Sequence, residues 1–196
     1  MKKISLSIVF SIVLGVSLFA KEIFPVEKVL LNPGEHHLCG KSHDGKIELE
    51  DGTLFKALSS DIETVYKTWN YQDLIAFSHN PYPYPIKSSE FYIENITRGE
   101  VIRADFYSSS NPNDFQLKIL HVDPAFGEIV FTKNGEVSGE WQVYEKDFSL
   151  LEHWETEDQV IIGKNNNLVE NFGTNCPYIL LNCDKKTHVR ASQSLN

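Results

Sequence analysis

The sequence predicts an all-β protein made of two related small barrels behind a cleaved signal peptide. Three observations predict it. The chain matches itself at an offset of 85 to 87 residues. Each copy breaks into short alternating runs punctuated by turn residues. The first twenty residues have the layout of an export signal. With 196 residues, 41% of them hydrophobic and 12% aromatic, the composition is globular and the length suits one ordinary domain or two small ones.

Met1-Lys2-Lys3 gives a positive start, and an uncharged stretch from Ile4 to Ala20 follows. It falls just short of the roughly 18 residues a membrane-spanning helix wants, and it ends in small residues suited to signal-peptidase cleavage. No second long apolar run occurs, so stable membrane insertion is not expected once the signal is cut. Removing residues 1–20 takes away two lysines and no acid, so the net charge falls from −9 to −11. A chain this acidic repels phosphate backbones and anionic lipid surfaces, which argues against nucleic acid or a membrane as partner.

The self-match pairs residue types that are rare together. Asp61 falls on Asp147, Trp69 on Trp154, Asp73 on Asp158, Asn95 on Asn182 and Arg103 on Arg190. Apolar positions follow the same register, among them Phe55 with Trp141, Val65 with Leu150 and Ile93 with Leu180. The alignment needs one length change near residue 62 and two inside a loop.

Taken in order, the shared unit reads as strand, hairpin, strand, helical turn and three more strands. Residues 46–50 and 53–58 alternate on either side of Asp51-Gly52, and 129–133 precede Asn134-Gly135. Such dipeptides mark two-residue hairpin turns with positive φ at both central positions. Ser138-Gly139 predicts a bulge before the strand at 141–144. Asp61 and Asp147 are suited to N-cap helical turns at 62–67 and 148–153. There Val65 with Trp69, and Leu150 with Trp154, would share one inward face. Strands follow at 74–78, 90–94 and 100–107, and again at 159–163, 178–182 and 187–193. Five or so short strands in about 60 residues suit a small SH3-like barrel better than a sandwich. The expected organisation is a signal at 1–20, an arm at 21–45, a first module at 46–107, a linker at 108–127 that is ordered because Phe115–Asp123 is itself strand-like, and a second module at 128–193.

The pattern Asp51-Gly52-Thr53-Leu54-Phe55, then Asp61, Trp69, Asp73, Asn95 and Ile102-Arg103-Ala104, resembles small exported bacterial β-barrel modules. The second copy departs at its first element, with Ser138-Gly139-Glu140-Trp141. The resemblance covers about two thirds of the chain after the signal. It implies a fold and a compartment, and no reaction.

The common catalytic signatures for serine hydrolases, zinc proteases, P-loop enzymes and Rossmann cofactor domains are missing. No cofactor is therefore expected, and the leading expectation is a non-enzymatic binding or structural module. The alternative rests on His36, His37, Cys39 and His43, whose imidazole and thiolate ligands suit zinc or copper. Extended backbone would point His36 and His37 apart, which favours a polar loop. Cys176 and Cys183 flank an extended run, about 23 Å apart, too far for a mutual disulfide. Either Cys39 pairs with one of them or all three stay reduced.

For a partner, Trp69 and Trp154 offer ligand stacking, although a Trp ending a helical turn also plugs a barrel. The more site-like element is His79-Asn80-Pro81-Tyr82-Pro83-Tyr84-Pro85. Three prolines stiffen it, so Tyr82 and Tyr84 would meet a protein or peptide partner at low entropic cost. The second copy has Lys164-Asn165-Asn166-Asn167 there instead.

Overall fold

The computed structural model describes residues 32–80, 89–109, 113–166 and 174–194, and in it the alternating runs are strands. β1 (His36–Lys41), β2 (Lys46–Leu49), β3 (Thr53–Ala57), β4 (Leu74–His79), β5 (Phe91–Asn95) and β6 (Glu100–Ser109) form a closed antiparallel barrel ordered β1-β2-β3-β6-β5-β4. The helix α1 (Ile62–Thr68) lies between β3 and β4. β7 (Leu117–Asp123), β8 (Glu128–Lys133), β9 (Glu136–Val143), β10 (Gln159–Lys164), β11 (Tyr178–Asn182) and β12 (Thr187–Gln193) close a second barrel, ordered β7-β8-β9-β12-β11-β10. α2 (Phe148–Leu151) precedes β10. Corresponding strands hold corresponding places, so the duplication is one of topology. No helix among the described residues is long and apolar enough to cross a membrane.

Each barrel has six strands where five were expected. The extra ones come from outside the expected modules: β1 from the stretch read as an arm, β7 from the stretch read as a linker. β1 joins β2 to β4 through His36↔Ile75 and His37↔Leu74, and β7 joins β8 to β10 in the same way. The sequence His36-His37-Leu38-Cys39 hides its alternation because a histidine takes an inward position. His36 and Leu38 are buried while their neighbours are half-buried.

The inward positions of the strands fill both interiors. Ile47, Phe55, Ile93 and Ile102 line the first, and Ile129, Phe131, Leu180 and Val189 the second. The two tryptophans are plugs. Trp69 is fully buried and Trp154 nearly so, and each indole N–H donates across its barrel, to Glu100 Oε2 at 2.8 Å and to Thr187 Oγ1 at 2.9 Å. Of the two readings of these residues, ligand stacking and barrel plug, burial matches the plug, and neither ring offers an exposed stacking face.

The helical turns differ in pitch, which corrects the expected pairing of Leu150 with Val65. In the first copy the Trp69 N–H donates to Val65 O, four residues back. In the second, Trp154 N–H reaches Leu151 O, three residues back, after a 3₁₀ turn at Glu145–Asp147. The tighter winding puts Leu151 in the core and leaves Leu150 on the surface. The single-residue length change therefore lies between Val65 and Trp69, not near residue 62.

Asp61 and Asp147 stand at the N-cap positions, but neither side chain caps its helix. Each turns to the arginine that aligns with its partner's arginine. Asp61 accepts from the backbone and guanidinium of Arg103, and Asp147 accepts in the same way from Arg190. A bidentate charged partner outcompetes a backbone N–H.

The hairpins also differ. Asn134 and Gly135 both have positive φ, as a two-residue turn requires, and the ladder slips at Ser138 as expected of a bulge. In the first copy only Gly52 is left-handed, and Gly52 N–H donates to Leu49 O. Glu50-Asp51-Gly52 is thus a three-residue loop, and it carries two acids to the barrel contact.

The barrels pack through β10 and β11, which are buried on both faces. Val160, Ile162 and Leu180 belong to the second interior, whereas Ile161, Ile179 and Leu181 join the apolar cluster of the first. Gly163 permits this approach. A Cβ there would lie 2.7 Å from the Phe77 ring and 2.8 Å from Ile179 Cγ1. Gly163→Ala is expected to cost about 1–3 kcal/mol by overpacking. Urea denaturation measures it, and an unchanged midpoint would mean that the barrels do not need this contact.

Candidate functional site

A cavity of about 180 Å³ lies where the barrels meet, lined by His36, Glu50 and Asp51 from one and Phe115, Lys133 and Ile162 from the other. Its charged floor follows from two local features. Strand alternation turns His36 inward from β1, and the three-residue loop after β2 projects Glu50 and Asp51 beside it. The second barrel's leading segment grips that loop. Gln116 Nε2 donates to Asp51 O at 3.1 Å and Asn113 Nδ2 to Glu50 O at 3.3 Å.

His36 spans the contact. Its Nδ1 is 2.9 Å from Glu50 Oε1 and its Nε2 is 2.7 Å from Ile162 O. A carbonyl and a carboxylate only accept, so the ring holds both protons as an imidazolium. Burial works against that charge; the Glu50 carboxylate and the bond it accepts outweigh burial and raise the His36 pKa to about 9. Burial likewise opposes ionisation of Glu50, yet His36 and the 2.8 Å bond from His37 N–H hold its pKa below the usual value. Burial pushes Asp51 up to about 6, with His36 pulling it back and Glu50 pushing it further. Both Asp51 oxygens accept from Thr53, one from its N–H and one from its hydroxyl. The cluster holds a proton tightly and presents its polar atoms to protein groups.

The four residues read as metal ligands do not converge. His36 is engaged inside the contact, and His37 points the other way, Nδ1 3.4 Å from Gln72 O. Cys39 is half-buried and bonded to Tyr71, while the His43 ring lies 4.1 Å from that of Tyr66. Among the described residues no group of three or more His, Cys, Asp or Glu is arranged to hold a metal ion. No disulfide joins the three cysteines, which is the reduced alternative, and burial raises the Cys183 thiol well above its ordinary value.

Of the residues read as partner-binding, Tyr82 and Tyr84 lie outside the described residues, as does the stretch 1–20 read as an export signal. His79 ends β4 at the barrel contact, its ring 4.4 Å from that of His188. The base of the loop beyond it is clamped. Asn80 N–H donates to Glu90 O, and the buried Asn80 Nδ2 donates to Ser89 O at 3.0 Å. The second copy repeats the clamp, with Asn165 N–H on Pro177 O and Asn165 Nδ2 on Cys176 O at 2.8 Å.

Sequence reasoning missed Glu50 and Asp51, which read only as hairpin residues, and the two asparagines. The asparagines had a signal: each follows the fourth strand of its unit, at the offset that aligns the tryptophans. Comparison with protein-family models, curated proteins and solved structures finds no match to this chain.

Proposed function

We propose that the protein is an exported, non-enzymatic binding or structural module of the bacterial envelope. It takes a protein or peptide partner through the loop that carries Tyr82 and Tyr84. The observation that supports this reading is the repeated asparagine clamp. Two barrels of one topology fix the stems of equivalent loops with the same buried residue, while the loop sequences diverge. Fixed stems with variable tips are how rigid scaffolds carry recognition. The export reading rests on the layout of residues 1–20.

Tyr82→Ala/Tyr84→Ala is expected to weaken partner capture by roughly 2 kcal/mol or more, while stability stays within about 0.5 kcal/mol. Quantitative pull-down from an envelope fraction, with thermal melting in parallel, tests both halves. A fall of many degrees in the melting temperature would place the rings in the core and remove the binding residues.

A further inference from the structure

We propose that His36 is a proton-dependent latch between the barrels, holding them together as an imidazolium and loosening them when it loses a proton. The geometry carries this. One ring from β1 satisfies the Glu50 carboxylate of its own barrel and the Ile162 carbonyl of the other. A neutral imidazole has one N–H, so deprotonation leaves one of two buried acceptors facing a bare nitrogen. Either way the contact is damaged where the cavity lies.

The groups around the ring set the direction. From the segment before β1 comes Glu35, paired with Lys164 of β10 at 3.0 Å. From β1 itself comes His37, which points away, and from the β2–β3 loop come Glu50 and Asp51. β4 presents the uncharged Phe77 ring, with centroids 6.0 Å apart. β8 presents Lys133 at the cavity wall, its ammonium over the Phe115 ring at 5.4 Å. Beyond them, Cys183, just after β11, presents its thiol 4.0 Å from Thr53 Oγ1. Two carboxylates stand beside the ring, and the nearest cations are each engaged elsewhere.

A histidine whose folded pKa is raised adds stability that is complete below its unfolded value near 6.5 and is lost as pH climbs through the folded value. With that value at about 9, the window runs from pH 6.5 to 9. Across it, opening of the contact should become easier by on the order of a hundredfold, a tenfold change per pKa unit.

The test uses the full chain without its signal. NMR titration of the His36 ring reads its midpoint directly, and amide exchange of Ile161, Ile162 and Gly163 reads the contact. The expected result is a midpoint near 9 and loss of β10 protection on the same curve. Glu50→Gln should bring the midpoint down by at least a unit. His36→Gln should abolish the pH dependence of β10 protection between 7 and 9, whereas a merely structural role would lower protection equally at every pH. A ring that titrates near 6.5 in the wild type, or β10 protection that stays flat across its titration, overturns the proposal. So does an alkaline loss that survives in His36→Gln. The wild-type titration decides the matter even if a variant fails to fold.

Discussion

Trp69→Ala should remove about 3–5 kcal/mol of folding stability, the range for deleting a buried aromatic ring. The ring is fully buried among the inward residues of the first barrel and is the largest side chain there. Its loss leaves a cavity that a closed ring of hydrogen-bonded strands has little freedom to fill. Net stabilities commonly run about 5–15 kcal/mol, so the variant should sit near its melting transition at ordinary temperatures. Trp154→Ala should fall in the same range. The phenylalanine variants separate packing from polarity. The Trp69 N–H donates to a carboxylate, Glu100 Oε2, which also accepts from Thr68 Oγ1 at 2.6 Å. The Trp154 N–H meets only a hydroxyl. Bonds to charged acceptors are worth more, so Trp69→Phe should cost more than Trp154→Phe. Urea denaturation followed by circular dichroism measures all four. A Trp69→Ala cost under about 1 kcal/mol would return the ring to the surface as a ligand platform.

The duplication, the turn dipeptides and most strands were legible because they depend on local rules. Asn134-Gly135 announces its turn through the positive φ that both residues adopt, and Ser138 announces its bulge beside a glycine. The strands at Tyr178–Asn182 and Thr187–Gln193 begin and end where the alternation does. What was not legible depends on closure. β7 was legible as a strand-like stretch, but not as a member of a barrel; β1 is a strand because a barrel needs a sixth member to join its edges, and the seam between β1 and β4 is only two residue pairs long. Nothing within His36–Lys41 signals a strand apart from a burial pattern that a histidine disguises.

The candidate site was hidden for a related reason. Glu50 and Asp51 are chemically ordinary turn residues until a second barrel covers them. Their burial is a property of the contact, and a single chain pattern carries no sign of which face of a barrel will be covered. The same holds for β10. Val160-Ile161-Ile162-Gly163 is apolar on both faces, as expected of a strand buried on both sides. On its own that run read only as a strand, and the role of its glycine shows only where Phe77 packs against it.

Asp73→Ala is expected to cost about 3 kcal/mol, because it removes a buried carboxylate on which two amide donors and a half-exposed guanidinium converge. The carboxylate sits under the turn that leads into β4 and is 5% exposed. Its Oδ2 accepts from Asn70 N–H at 2.7 Å, from Asn95 Nδ2 at 2.7 Å and from Arg98 Nε at 2.5 Å; Oδ1 accepts from Arg98 Nη2 at 3.3 Å. Alanine strands the fully buried Asn95 amide, unties the turn and frees the guanidinium together. Asp158 makes the matching bonds to Glu155 N–H and Asn182 Nδ2, but its cation, Lys185, stands 3.9 Å away. Asp158→Ala should therefore cost less, about 1–3 kcal/mol. The pH dependence tests the electrostatic part. Burial alone would raise the Asp73 pKa; Arg98, Asn70 and Asn95 together hold it below the usual carboxylate range. Such a group stabilises the fold above its unfolded value near 4, and that contribution fades as pH falls through the folded value. The gap between wild type and Asp73→Ala in urea denaturation should then be full at pH 7 and shrink steadily below pH 4. A gap of the same size at pH 7 and pH 2 would mean that Asp73 acts through shape alone, and the charge pair would contribute nothing.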